Sequence, residues 1–77
     1  MELKIGTIVF HKKRKQFGSL LTSWGRAALQ NSEELIYEVE VEDHNPDIHG
    51  QWYLSNIVIL EEDTPQKRLA LQIKYAD

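Results

Sequence analysis

The 77-residue chain contains no cysteine. Disulfides, thiolate metal sites and thiol catalysis are therefore excluded, and the fold must stand on its hydrophobic core or on partners. Long apolar runs are missing too. The longest clusters, such as Ile57-Val58-Ile59-Leu60, are strand-sized and far below the roughly 18 residues of a membrane span. No apolar run of signal-peptide length follows the opening Met-Glu-Leu-Lys-Ile, so no membrane association and a cytoplasmic location are expected. Internal repeats and low-complexity stretches are absent. Length is also in short supply. A single domain of this size buries only about 60% of the surface its unfolded chain exposes. That leaves little stability to spare for a deep preformed pocket, so any site is expected to be a groove, a loop or a flat face.

Charge is plentiful but segregated. Residues 1–30 carry six Lys or Arg against Glu2 alone, a balance of +5, whereas residues 31–77 carry Lys67, Arg68 and Lys74 against eleven acids, a balance of −8. Such segregation can place a positive and a negative region on one small surface, and it bears on partners and not on fold.

The pattern of apolar residues reads as short strands. Leu3 to His11 is rich in β-branched and aromatic residues and is interrupted by Gly6, which points to a bulge or a close backbone approach. A polar loop, Lys12 to Gln16, leads to a second strand over Phe17–Trp24, stopped by Gly25. Residues 25–34 read as a long loop, too short for a stable helix. The clearest pattern follows: Leu35, Tyr37, Val39 and Val41 alternate with Glu38, Glu40 and Glu42, the signature of a half-buried antiparallel strand. Residues 43–50 are turn chemistry throughout. Gln51–Leu54 is a short strand, and Ile57–Leu60 is one continuous enough to be buried on both faces. The tail from Glu61 to Asp77 reads two ways. Thr64-Pro65 resembles a helix start followed by helix-favouring residues, but Leu69, Leu71, Ile73 and Tyr75 alternate, and the alternation tips the reading toward a strand.

Several short strands in so short a chain imply a strongly bent sheet, because closing or nearly closing it removes exposed edges. The expected fold is all-β: a small SH3-like barrel of five or six antiparallel strands over residues 1–61, with residues 62–77 as a C-terminal extension, strand or short helix, packing on the barrel or on a partner. The expected core is Ile5, Ile8, Phe10, Leu20, Tyr37, Val39, Val41, Leu54, Ile57 and Ile59.

The segments Ile5-Gly6-Thr7-Ile8-Val9-Phe10-His11-Lys12, Gly18-Ser19-Leu20, Tyr37-Glu38-Val39-Glu40-Val41, Gly50-Gln51-Trp52-Tyr53-Leu54 and Ile57-Val58-Ile59-Leu60 carry a family resemblance. Their order resembles SH3-like barrels of the KOW and Tudor kind. It is also similar to the RNA-polymerase-interacting domain of CarD-type regulators, in which a valine-rich strand ending in His precedes a Gly-containing turn. The resemblance covers residues 3–61 and implies a binding module, with the transcription or translation machinery as its setting. The chain departs from these families in having one glycine near Gly18 where a glycine-rich turn is usual, and in the added segment after Glu61.

Among candidate functional residues the basic run His11-Lys12-Lys13-Arg14-Lys15 is the sharpest feature. Four permanent cations in a loop can meet phosphates or an acidic protein patch. The solvated alternative is a loop that only keeps the protein soluble. Phe17, Trp24, Trp52 and Tyr53 could add base stacking or contact anchors. Trp52 and Tyr53 are adjacent in a strand, so one should be buried and the other exposed. Glu38, Glu40 and Glu42 form a row about 7 Å apart, explained by a charged outer face without a glycosidase pair. Asp43, His44, Asp47 and His49 are metal-ligand types, but their spacing fits neither a zinc arrangement nor a calcium loop. Ser19, Ser23, Ser32 and Ser55 lack an evident paired base. The expectation is a non-catalytic module without metal or cofactor. It docks a protein partner through Lys12, Lys13, Arg14, Lys15, Phe17, Trp24, Trp52 and Tyr53. Direct RNA or DNA binding by the same loop and self-association are the alternatives. A monomer or weak homodimer is expected, its association resting on edge pairing of residues 66–76 more than on charge.

Overall fold

A computed structural model describes residues 3–27, 34–42 and 49–76. Residues 43–48 of the turn expected at 43–50, with Asp43, His44 and Asp47, lie outside the described residues, as do residues 28–33 of the expected loop and the His49 side chain, whereas the last two residues of that turn, His49 and Gly50, begin a strand. The chain folds into a six-stranded antiparallel sheet with one short C-terminal helix, an all-β small domain. The strands are β1 (Ile8–His11), β2 (Gln16–Leu20), β3 (Arg26–Ala27), β4 (Leu35–Val41), β5 (His49–Tyr53) and β6 (Ile57–Leu60), followed by α1 (Pro65–Lys74). A 3-10 turn over Leu54–Asn56 joins β5 to β6.

The order across the sheet is β5-β4-β2-β1-β6, with β3 beside β2 on the same edge of β4. The strand expected at 17–24 ends at Leu20, and a further short strand, β3, lies in the segment 25–34 expected as a loop. β2 pairs with residues 39–41, the chain bends at Leu21, and β3 resumes against Leu35 and Ile36. The bend is held by the Leu21 N–H, which donates to the Glu38 carbonyl at 2.9 Å, and it turns Trp24 outward. The first strand is also shorter than expected. Leu3 to Thr7 forms a turn closed by Thr7 N–H and Oγ1, both donating to the Lys4 carbonyl. Gly6 takes a φ of 89° there, which a side chain would resist. Ile5, expected in the core, stands 68% exposed on this turn.

Strand alternation sorts the apolar residues into two clusters. Val9, Leu20, Tyr37, Val39, Val41, Trp52 and Ile57 come from five strands and form one core, so the sheet curls around it. Residues from β5 and β6, the two ends of the order, meet in that core. Phe10, Phe17 and Leu60 point the other way and are covered by Leu71 and Tyr75 of α1. The β6 strand is therefore packed on both sides, as its unbroken apolar run implies. Gly18 leaves the room that the core needs: a Cβ there would meet Val39 Cγ1, the Glu40 carbonyl oxygen at 2.9 Å and the Trp52 ring at 3.3 Å.

The tail is a helix and not the strand its alternation favoured. The Thr64 hydroxyl accepts the Lys67 N–H at 3.1 Å, and Pro65 occupies the first turn, the arrangement that starts a helix. On a helix the four alternating residues become two i, i+4 pairs. Leu71 and Tyr75 face the sheet, whereas Leu69 and Ile73 face outward. Edge pairing of this segment with a second copy as a strand is accordingly not available to the folded chain.

Candidate interaction surface

The basic run forms the loop between β1 and β2, with His11 opposite Gln16 at its base. The loop is built from within. The His11 side chain is only 6% exposed, and its Nδ1 accepts the backbone N–H groups of Lys13 (3.2 Å) and Arg14 (3.1 Å). The Lys15 N–H donates to the His11 carbonyl at 2.8 Å, and Lys15 closes the turn in the left-handed region with a φ of 57°. The imidazole rests edge-to-face on Trp52, with ring centres 5.1 Å apart. Burial, then the positive charges of Arg14 and Lys13, hold the His11 pKa below the ordinary histidine value.

The four cations are not equivalent. The Lys12 ammonium donates to the Ser55 carbonyl at 3.3 Å, and the Lys15 ammonium donates to the Lys12 carbonyl at 2.8 Å. Lys13 and Arg14 stand exposed at the tip. The Lys12 N–H also donates to the Asn56 carbonyl at 2.9 Å, so the base of the loop is bonded to the 3-10 turn that follows Tyr53.

Four aromatic residues were candidate contacts, one of Trp52 and Tyr53 being expected to be buried, and the structure divides them. Trp52 is buried in the core beside Tyr37, its cross-strand partner, while its neighbour Tyr53 is exposed, the split that adjacent strand positions require. Phe17 is buried as well. It stacks on Phe10 at 4.7 Å and lies under the Arg68 guanidinium, whose carbon is 4.7 Å from the ring centre. Neither Phe17 nor Trp52 is therefore at the surface, because the helix covers one and the curled sheet encloses the other. Trp24, 65% exposed, and Tyr53 remain.

These two belong to one face. Arg26, Ile36 and Tyr53 stand in register across β3, β4 and β5, and Trp24, Arg26, Ile36 and Glu38 line a shallow concavity together with Thr22. The expected set omits Arg26 and Ile36, since only the bend at Leu21 sets β3 against β4. It also assigns no part to His11 in organising the turn. A serine or aspartate before the loop would have announced a side-chain acceptor for backbone N–H groups, and histidine does not.

The glutamate row is uneven. Glu38 is exposed, whereas Glu42 accepts two bonds from Arg68 of α1 at 2.8 and 2.9 Å. Arg68 also binds Asp63 through Nε at 2.6 Å and Nη2 at 2.8 Å. Its bonds to Asp63, then to Glu42, raise the guanidinium pKa above its ordinary value, and the Asp63 carboxyl is held below its own by the same contact. Among the described residues no cluster of three His, Cys, Asp or Glu could hold a metal ion, and no helix is long and apolar enough to cross a membrane. No family model, curated protein or solved structure matches this chain.

Proposed function

We propose that the chain is a non-catalytic binding module that docks an acidic patch of a protein partner. Lys13 and Arg14 make the charged contact, and Trp24 and Tyr53 anchor the apolar one. The observation that carries this reading is the held turn. His11 fixes the backbone of Lys13 and Arg14, so the two cations are presented with part of their ordering cost already met. The same loop is bonded to the turn following Tyr53, which ties it to the aromatic face. The antiparallel order β5-β4-β2-β1-β6, with its 3-10 turn before the last strand, supports the SH3-like reading. A transcription- or translation-related complex is the setting that the resemblance implies.

The small number of cations favours protein over nucleic acid. Lys13, Arg14 and Lys15 are exposed, so three cations of the loop are open to solvent. Three phosphate contacts give a salt slope of only about −2.1 for a single strand, far below that of nucleic-acid binders making 6–10 contacts. Fluorescence anisotropy with a glutamate-rich peptide carrying one tryptophan, and separately with a single-stranded RNA, tests the reading. The peptide should bind, and the Lys13→Ala/Arg14→Ala variant should weaken it about tenfold, the worth of one or two charge-assisted bonds. Tight RNA binding with a steep salt dependence would instead establish the loop as a nucleic-acid contact.

A further inference from the structure

The turn that presents Lys13 and Arg14 is closed by a single titratable ring. His11 Nδ1 is the acceptor for two backbone N–H groups at once. An imidazole can do this only when neutral, with its proton on Nε2. We propose that His11 is an acid-sensitive latch on the basic loop: neutral, it holds Lys13 and Arg14 in the docking geometry, and protonated, it releases them. The inference rests on the reading of Lys13 and Arg14 as contact residues.

Protonation places a hydrogen on Nδ1 and turns the acceptor into a donor. It then faces the Lys13 and Arg14 N–H groups donor to donor, and both lose their partner in one step. No other described side chain is bonded to these two N–H groups. The charged groups facing the ring are Arg14 and Lys13 themselves, and both oppose a further positive charge. The other elements packed around His11 contribute Trp52 from β5, Gln16 from β2 and Ile57 from β6, none of which titrates in the relevant range. No described carboxylate bonds the ring to stabilise the imidazolium. The displaced turn also has strain to release, since Lys15 holds a left-handed φ.

The sign follows from linkage. The folded chain binds the His11 proton less readily than the unfolded chain. The stabilisation from the neutral ring is therefore complete above the ordinary value of 6.5 and is lost as pH falls through the lower folded value. The latch is closed at neutral pH and opens only as pH falls below the ordinary histidine value.

Nuclear magnetic resonance on the free, full-length protein between about pH 8 and about pH 5 tests the latch without any partner. The exchange protection of the Lys13 and Arg14 amides, corrected for intrinsic rates, should fall about tenfold, the population change that loss of one net hydrogen bond produces. Its midpoint should match that of the His11 ring shifts. Amides that stay protected while the ring titrates would overturn the latch. The His11→Asn variant supplies a side-chain oxygen acceptor that does not titrate, and its amides should lose the pH step. A step that persists in the variant would assign the effect to another group. If the variant does not fold, the wild-type amide titration decides alone. Anisotropy with the glutamate-rich peptide over the same range separates the two readings. Amides that open in acid while the peptide binds at no pH would leave the latch standing and overturn the docking role of the loop.

Discussion

Arg68 of α1 meets Glu42 at the end of β4 through two parallel bonds, Nη1 to Oε1 at 2.8 Å and Nη2 to Oε2 at 2.9 Å. The same guanidinium reaches Asp63 and lies over the Phe17 ring. One side chain thus fastens the helix to the sheet and roofs the second apolar cluster. Exposed ion pairs contribute about 0–1 kcal/mol each, and a cation over an aromatic face adds about 0.5–1 kcal/mol. Arg68→Ala should therefore lower stability by about 1–2 kcal/mol, read as a shift of the urea midpoint at unchanged slope. Arg68→Lys should recover less than half of that, because an ammonium cannot match the fork. Full recovery by lysine would show that charge alone is at work. Asp63 adds a pH dependence. Its carboxyl is held below the ordinary 3.8 by the bond from Arg68, so its contribution is present above that value and is lost as pH falls through the lower folded one.

Gly18 of β2 pairs with Val41 at the end of β4. A methyl group there would stand 2.9 Å from the Glu40 carbonyl oxygen, besides meeting Val39 and Trp52. The backbone oxygen cannot swing aside, unlike the end of a flexible side chain. Overpacking of this kind costs about 1–3 kcal/mol. Gly18→Ala should fall within that range by chemical denaturation. A neutral result would mean that β2 and β4 are farther apart than their register requires.

Tyr37 is fully buried and its hydroxyl has no hydrogen-bond partner among the described residues. A buried unpaired polar group costs about 1–3 kcal/mol. Removing it while keeping the ring should relieve that cost, so Tyr37→Phe is expected to stabilise the protein by about 1 kcal/mol in thermal or urea unfolding. Destabilisation by a similar amount would establish that the hydroxyl is satisfied, for instance by an enclosed water.

What the sequence made legible was periodicity. The alternation at 35–42 placed Tyr37, Val39 and Val41 in the core, and the unbroken run Ile57–Leu60 marked a strand packed on both faces. Illegible were the features that depend on where one segment meets another. The bend at Leu21, which ends the expected strand early and leads to β3 in the expected loop, is held by a bond to Glu38 nearly twenty positions away. Phe17 and Trp52 looked like contact aromatics because nothing local says that α1 will lie on one and that the sheet will curl over the other. In the tail, four alternating apolar residues satisfied the strand template and the helix template together. The decision lay in Thr64-Pro65, whose cap and first-turn geometry outweighed the alternation. The basic loop was legible as charge, but the bonds that tie the Lys12 and Lys15 ammoniums to backbone were not, since they depend on the carbonyls of Ser55 and Lys12.

The geometry of that loop gives a test at Lys15. Its φ of 57° brings Cβ close to the following carbonyl oxygen, a cost of roughly 1–2 kcal/mol for an L-residue with a side chain. Lysine tolerates it here while its ammonium donates to the Lys12 carbonyl at 2.8 Å and its N–H to the His11 carbonyl at 2.8 Å. Lys15→Gly removes the steric cost and keeps the backbone bond, but it loses the ammonium contact and adds freedom to the unfolded chain. The two losses are each below about 1 kcal/mol, so the variant should lie within about 0.5 kcal/mol of the parent. Lys15→Val keeps the cost, crowds it further with a branched Cβ and loses the ammonium contact as well. It should be destabilised by about 1–2 kcal/mol, and the Lys13 and Arg14 amides should lose protection in proportion. Equal stability of the glycine and valine variants by urea unfolding would show that the turn does not hold its left-handed residue in solution.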